Sequence, residues 1–490
     1  MQNHHQNRKA RWVTRWVKSI AVPLTGFCSL AFAAASDPLA SSVDIAGVGN
    51  QTTSTTTVAG EYITWREWII DSPEIAGFAL NGSDGLVVGD LDNDGREDIV
   101  SVHESDSEYD SSEFDPDYIP DSEGHVRIAF AGATPSDWVN VTLAEGADSP
   151  APEDADIADV NGDGFLDVIV AAELSHLIYL QNPGPDDARR GEAWERLILP
   201  MTKGNGSYIR VFFADLDGDN TPEVIAANKS AQRPGPSDLV RSTPVSIFSV
   251  TGHPLVADAW HETVLGRYSV PQNAQPVDLD ADGDLDIVVG SRGENRLAWF
   301  ENHSRLGQLS FIEHAIGIVG GTASGFNLEY ADLNNDGRTD IIGAIGTESL
   351  ASSLGWLEQP KDKDSAWIHH PIGSLAPDAI TGIVLTDIDG DGEVKASDAL
   401  GRLAWFENPG ATKVISSVWP RHDVSRRKRG MFDKFIARDI DGDGDIDLLG
   451  TRGNSAPFDG VFWLEQQRAE EPSARFTPAR QNESPEMSLP

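Results

Sequence analysis

The sequence predicts an all-β chain, and three observations carry that expectation. Short runs of β-branched and aromatic residues, such as "GLVVG", "DVIVAA", "DIVVG" and "LAWFENH", alternate with turns rich in Gly, Asn and Asp. No long stretch shows the apolar spacing of an amphipathic helix. One acidic nine-residue motif recurs seven times, each time between the same kinds of apolar neighbour.

The copies are "DLDNDGRED" from Asp90, "DVNGDGFLD" from Asp159, "DLDGDNTPE" from Asp215, "DLDADGDLD" from Asp278, "DLNNDGRTD" from Asp332, "DIDGDGEVK" from Asp387 and "DIDGDGDID" from Asp439. Their starts lie 69, 56, 63, 54, 55 and 52 residues apart. An apolar run precedes each copy, a Val/Ile-rich run follows, and a polar loop then leads to an aromatic run such as "LIYLQNP", "LAWFENH" or "LGWLEQP". A fourth run opens with Trp138, Trp194, Trp260, Phe311, Trp367 or Trp419. Four strands per repeat, seven times over, predict a seven-bladed β-propeller. The last repeat stops after its third strand, "VFWLEQQ", while "YITWREWIID" (residues 62–71) stands unclaimed before the first repeat. That N-terminal strand is predicted to complete the last blade and close the ring, which leaves no long exposed edge. The propeller is thus expected over 61–467, after a linker at 36–60. The polar, proline-containing tail at 468–490 is expected to be disordered.

The first 35 residues read differently. Arg8, Lys9, Arg11, Arg15 and Lys18 form a basic region without an acid, followed by "IAVPLTGFCSLAFAAAS". This is the pattern of a secretory signal cleaved near Ala33–Ala35. The apolar run is short for a membrane span and is interrupted by Pro23 and Gly26. Cleavage would remove the only cysteine, Cys28, so the exported domain would rely on a large core, on metals, or on both. It would also remove five of the 37 Lys and Arg and none of the 78 Asp and Glu, taking the net charge from −41 to −46. Such a charge excludes nucleic acid as a partner. The expectation is a secreted or periplasmic monomer with no membrane span once the signal is gone.

Carboxylates this close repel one another unless a cation sits among them. Oxygen ligands at alternate positions of a tight loop suit a hard divalent ion, calcium above all, and the absence of nitrogen and sulfur ligands disfavours zinc and copper. Side chains at positions 1, 3, 5 and 9 and the main-chain carbonyl at position 7 would form the cage. The ligand sets are then Asp90, Asp92, Asp94, Arg96 and Asp98; Asp159, Asn161, Asp163, Phe165 and Asp167; Asp215, Asp217, Asp219, Thr221 and Glu223. The later sets are Asp278, Asp280, Asp282, Asp284 and Asp286; Asp332, Asn334, Asp336, Arg338 and Asp340; Asp439, Asp441, Asp443, Asp445 and Asp447. Glycine at position 6 permits a left-handed turn, and Asn220 stands in for it in the third copy. An EF-hand would need flanking helices and Glu at position 12, where this chain has Ser101, Val170 and Val289. The sixth loop keeps Asp387, Asp389 and Asp391, but three residues are lost around its closing position and Lys395 falls there. About six calcium sites are expected, with the Asp387 loop weak or empty.

With these loops and the "AWFENPG"-like strands between them, the chain resembles the FG-GAP/VCBS repeat family over residues 60–467. The family's calcium loops are similar to those of integrin α-chain propellers. The literal Phe-Gly and Gly-Ala-Pro signatures of the integrin version are missing, so the bacterial secreted type is nearer. The resemblance implies a calcium-stabilised propeller of extracellular proteins, often serving adhesion or carbohydrate contact, and it names no ligand.

Function is expected on the face opposite the acidic loops, where the connections vary most. Residues 103–125 form a long acidic loop framed by His103 and His125, and "SRRKRG" (425–430) is a basic run. Arg426, Arg427, Lys428 and Arg429, with Arg292 in "SRGEN", are candidate contacts for an anionic ligand such as a uronate or sulfated polysaccharide. The plainer alternative is a solvated loop. The strand tryptophans read as packing between blades rather than sugar platforms. A non-catalytic binding or adhesion module for an extracellular polysaccharide or surface protein is favoured, because the repeats explain nearly every distinctive residue. The alternative is a propeller-fold polysaccharide lyase, which needs a base, a proton donor and a cation against the uronate carboxylate. His103, His125, His176, Tyr208, Arg210 and Tyr268 are the candidates for those roles. No nucleophile motif, phosphate loop or redox signature appears.

Overall fold

The β-branched and aromatic runs become strands whose alternating faces need cover on both sides, and that requirement organises the molecule. A computed structural model describes residues 51–480, apart from 105–123, 147–148, 175, 232–233, 348–349, 390–394, 398–401, 427–432 and 454–457. The described residues belong to one unit, Ile45–Pro490. Residues 1–50, which include the segment read as a signal, most of the 103–125 loop, Arg427–Arg429 and residues 481–490 lie outside them.

The fold is an all-β propeller of antiparallel, four-stranded sheets that follow one another along the chain. The first sheet runs Ser83–Gly89, Asp98–His103, His125–Ala131 and Trp138–Glu145, each strand pairing with the next. The second holds Pro152–Ala158, Asp167–Ala172, Leu177–Gln181 and Glu195–Ile198, and the third Tyr208–Ala214, Glu223–Asn228, Ser242–Val250 and Trp260–Ser269. The fourth comprises Pro271–Val277, Asp286–Ser291, Arg296–Asn302 and Phe311–Ile316. The fifth comprises Thr322–Ala331, Asp340–Gly346, Ser353–Glu358 and Trp367–Ser374, with Ile318–Val319 added at its outer edge. The sixth is reduced: Val384–Thr386 and Lys395–Ser397 have three residues each, before Arg402–Phe406 and Arg421–Arg426. The last contains Phe435–Arg438, Asp447–Arg452 and Gly460–Ala469. Seven four-stranded blades were expected; six sheets are full-sized, and the sheet after the fifth is thin.

Tyr62–Asp71 is the fourth strand of the last sheet, paired antiparallel with Gly460–Ala469 from Tyr62 opposite Ala469 to Asp71 opposite Val461. The apolar clusters sit between successive sheets. One packs Val100, Ile128 and Phe130 of the first sheet against Val168, Val170 and Ile178 of the second. Another joins the last sheet to the first, through Ile70, Leu449 and Trp463 against Leu86, Ile99 and Ala129. The same seam carries a buried ion pair, Arg127 Nε to Asp71 Oδ2 at 2.5 Å.

The third-strand tryptophans are core residues: Trp299, Trp356, Trp405 and Trp463 are all buried. Each is covered by a ring from the outer strand that also binds the Glu two residues further on. His314 lies over Trp299 and bonds Glu301 at 2.7 Å, His370 lies over Trp356 and bonds Glu358 at 2.8 Å, and His422 lies over Trp405 and bonds Glu407 at 2.9 Å. In the last sheet Trp68 takes the histidine's place, stacked on Trp463 and donating Nε1–H to Glu465 at 2.6 Å.

Both chain ends differ from expectation. Residues 51–60 are bound to the propeller, with Thr53 buried and bridges from Thr52 to Ala474 and from Thr56 to Tyr62. Beyond Ala469, Phe476–Thr477 pairs parallel with Trp65 and Arg66, and Phe476 is buried beside Trp65. Polar composition concealed this anchor because one aromatic side chain supplies it. Among the described residues no helix is long and apolar enough to cross a membrane.

Candidate metal centres and channel mouth

Each acidic loop joins the first and second strands of its sheet, and its carboxylates are first of all organisers of backbone. Position 1 accepts from the amides of positions 5 and 6, as Asp90 Oδ1 does from Asp94 N at 3.0 Å and Oδ2 from Gly95 N at 2.9 Å. Position 5 accepts from the position 7 amide in all six described loops, so Arg96, Phe165, Thr221, Asp284, Arg338 and Asp445 are all held there by their own N–H. Position 6 is left-handed as expected, Asn220 included at φ 69°. Position 4 is left-handed too, at Asn93, Gly162, Gly218, Ala281, Asn335 and Gly442. The small or Asn residue at that position was a readable signal of this second turn.

The closing carboxylate at position 9 is buried and spans two strands. Asp286 Oδ2 accepts from Leu279 N at 3.1 Å and Oδ1 from Asn302 N at 2.8 Å. Asp98, Asp167, Asp340 and Asp447 repeat the pattern onto Ala131, Asn182, Gln359 and Gln466. The amide side chains that follow the aromatic run reach further, into the preceding sheet. Asn182 Nδ2 donates to Leu91 O at 2.8 Å, Asn302 Nδ2 to Leu216 O at 2.8 Å and Gln359 Nε2 to Leu279 O at 2.9 Å. Burial pushes the closing carboxyls up, Asp98 and Asp167 to about 6 and Glu223, Asp286, Asp340 and Asp447 to about 7, against the pull of their amide donors. A positive ion in the loop would offset that cost.

The loops are not equally able to hold one. Carboxylate oxygens converge within 4.8 Å in Asp90–Asp92–Asp94, Asp215–Asp217–Glu223, Asp278–Asp280–Asp282 and Asp439–Asp441–Asp447. In the fourth loop the buried Oδ1 atoms of Asp278 and Asp284 receive no hydrogen bond, and Asp445 Oδ1 is alike in the last. These orphaned oxygens fit a hard cation. The second and fifth loops instead turn an amide on the carboxylate, Asn161 Nδ2 to Asp163 at 2.8 Å and Asn334 Nδ2 to Asp336 at 3.0 Å. The first loop is met by Arg189 of the next sheet, 2.6 Å from Asp92 and 3.1 Å from Asp94. That arginine lies far away in sequence and could not have been foreseen. In the sixth loop Lys395 pairs with Thr386, the register that Asp286 holds with Val277. Lys395 therefore occupies the closing position. The three lost residues fall after it, because Ala396 opposes Phe406 whereas Ile287 opposes Phe300.

At the other end of the same inner strands the ladder is broken. Register shifts fall between Ser83 and Leu86, Pro152 and Asp154, Tyr208 and Val211, Pro271 and Asn273, and Ala323 and Leu328. Asp84, Glu153, Arg210, Gln272 and Asn327 sit in these irregularities, five or six residues before each acidic loop. Bulges of this kind re-aim side chains. Arg210 Nη2 donates to Asn327 Oδ1 at 2.8 Å, and Asp154 lies 3.8 Å from Arg210 and 3.6 Å from Lys434. Arg210, Asn273, Gln275, Asn327, Glu329 and Lys434 wall a cavity of about 60 Å³ between the inner strands. Burial raises Glu329 to about 7. A wider groove of about 750 Å³ lies elsewhere, on the outer strands between Thr142–Glu145 and Gly191–Arg196.

The residues named for a lyase are dispersed. His103 is buried with Nδ1 2.6 Å from Ser83 Oγ and Nε2 3.0 Å from Ser101 Oγ, and burial holds its pKa well below the usual range. His125, its cross-strand neighbour, stacks on Phe78 and is lowered to about 4 by burial and Arg127. His176 and Tyr208 are buried, and burial raises the Tyr208 hydroxyl. Tyr268 is buried and donates to Glu313 at 2.9 Å, and Arg210 alone faces the channel. Of the ligand-face cations, Arg292 is exposed, whereas Arg426 is buried and held by both oxygens of Asp378 at 2.8 and 3.0 Å. Arg426 is therefore spoken for inside the fold rather than offered to a ligand. Sequence reasoning named Arg210 but missed the rest of the inner-strand polar set, Asp84, Glu153, Asn273 and Asn327, each of which stands five or six residues ahead of an acidic loop.

Two stretches of the chain, 159–226 and 278–343, match the sequence model of the FG-GAP-like repeat. Each runs from an acidic loop to the second strand of the following sheet. No curated protein matches the chain. Among solved structures, BBS1N in complex with ARL6DN, from a crystal soaked with mercury, is 13% identical over 84% of this chain and 98% of that chain, with a TM-score of 0.41. The same complex soaked with lead is 14% identical over 78% and 90%, with a TM-score of 0.39. These two stretches carry FG-GAP-like repeats, each opening on an acidic loop, within a β-propeller of four-stranded sheets.

Proposed function

We propose that the chain is an exported, calcium-stabilised propeller that binds an extracellular carbohydrate at the mouth of its channel, on the face opposite the acidic loops. The reading counts the thin sheet as a blade, making seven, and takes the protein as a monomer. The observation that carries it is the set of polar side chains at the irregularities of the inner strands, different from sheet to sheet in their combination, at the end where the repeat gives way. Amides and paired charges such as Asn273, Gln275, Asn327 and Arg210 suit hydroxyl-rich ligands. Calcium in the acidic loops supplies positive charge where closing carboxylates are buried, and so ties the first two strands of a blade. As placed, His103 and His125 lend the lyase reading no support.

Two measurements test the proposal on the full mature chain. Titration against neutral and uronate-containing oligosaccharides should give saturable binding that Asn273→Ala or Gln275→Ala weakens at least fivefold. No binding, or binding indifferent to both changes, overturns the carbohydrate reading. Chelation should lower the thermal midpoint, and an unchanged midpoint overturns the calcium reading.

A further inference from the structure

The channel mouth holds a second, separate gathering of acids. Asp84 lies in the irregularity of the first inner strand, Glu153 in that of the second, and Glu104 follows the second strand of the first sheet. These three bring a carboxylate oxygen each to within 4.8 Å of one another. Asp84 is 2% exposed, and its Oδ1 receives no hydrogen bond. The carboxyl of Asp433, just before the last sheet, lies against Asp84 and shares a hydrogen bond with it, a contact that two carboxyl groups make only with a proton between them. Two buried cations stand nearby: Lys229 is paired with Glu173 and also attracts Glu153 and Glu104, and Arg210 lies 3.8 Å from Asp154, but neither donates to Asp84 Oδ1.

Backbone shape keeps this pocket open. A Cβ on Gly85 would stand 2.6 Å from Glu153 O, so glycine there lets the first two inner strands approach. A Cβ on Gly82 would stand 2.5 Å from Glu104 Oε2, and Gly82 is left-handed at φ 60°. Gly453 of the last sheet comes up on the third side, where a Cβ would be 3.1 Å from Asp84 Oδ1. Three sheets thus converge on one unpartnered oxygen.

We infer that Asp84, Glu104 and Glu153 form a binding site for a hard divalent cation at the channel mouth, separate from the acidic loops. The set is oxygen only, it draws on different sheets, and Asp433 completes its wall. The site stands independently of the carbohydrate reading. A cation here would fasten the seam between the first, second and last sheets at the end where their ladders are broken.

The test uses the mature full chain, freed of metal by chelation. Crystals soaked in Mn²⁺ should show an anomalous peak between Asp84, Glu104 and Glu153, at the opposite end of the inner strands from any peak in the acidic loops. In solution, Asp84→Asn and Glu104→Gln should each lower bound Ca²⁺ by one equivalent per chain, while Asp280→Asn removes a different equivalent. Glu104 is half-buried at the rim, so Glu104→Gln decides the matter should Asp84→Asn fail to fold. Lys229→Met should tighten the site by removing a competing positive charge. Absence of the Mn²⁺ peak, or an unchanged Ca²⁺ count in Glu104→Gln, overturns the inference and leaves the cluster neutralised by protons and Lys229.

Discussion

The two ends of the inner strands are built on opposite rules. At the acidic-loop end five of the sheets repeat one solution: the loop carboxylates take amide donors from their own loop, and the closing one binds across to the third strand, as Asp286 does to Leu279 and Asn302. At the channel mouth no solution repeats. Its ladders shift, and its charges are balanced across sheets, Asp154 against Arg210 and Lys434, while further out at the same end Asp71 of the last sheet faces Arg127 of the first. Repetition marks what every blade needs in order to fold, and divergence marks what the molecule as a whole uses.

The largest effect that would sharpen this contrast is at the mouth end. Asp71→Ala leaves the buried Arg127 guanidinium without its counter-ion and should cost about 3–5 kcal/mol in urea denaturation. A cost below about 1 kcal/mol would show that this seam does not depend on its charges. Next comes the loop end, where Asp286→Ala strands two buried amides and should cost about 2–4 kcal/mol. Lys395→Ala, at the same register of the thin sheet, should stay within about 0.5 kcal/mol. Equal costs would remove the distinction between regular and degenerate loops.

A pH series separates the ends again. His125 is held at about 4 when folded, below its ordinary 6.5, so below pH 6.5 the unfolded chain binds the extra proton. Its contribution to stability is full above pH 6.5 and is lost as pH falls from 6.5 through about 4. The urea midpoint of His125→Gln, compared with the parent, should fall less steeply over that window; parallel curves would show His125 to be no titrating element. A modest effect of opposite sign belongs to Ala281, which holds φ 60° where other loops use Gly or Asn. Ala281→Asn should raise stability by about 1 kcal/mol, and a loss would mean that the alanine methyl is packed.

Much of this was legible in the residues. The period and the loop spelling gave the sheets, and the orphan strand at 62–71 gave the partner of Gly460–Ala469. Even the misfit of Lys395 could be placed by alignment, although the deletion lies just beyond it. Local rules sufficed wherever contacts were local. Arg189 on the first loop, Arg426 on Asp378 and Phe476 beside Trp65 are contacts between distant segments, and no spacing announces them. The mouth failed for a different reason. Its residues stand just ahead of each acidic loop, but a repeat draws attention to what recurs, and these side chains change from sheet to sheet.

The strand that seals the ring is made before the six intervening sheets and its partner after them. Tyr62–Asp71 can find Gly460–Ala469 only when all of those sheets have emerged. Until then both ends of the array carry open edges, competent for mispairing with another copy. A chain cut short before Gly460 has nothing to seal against. Closure therefore works as a test of completeness, and truncated products should remain sensitive to proteolysis while full-length ones do not.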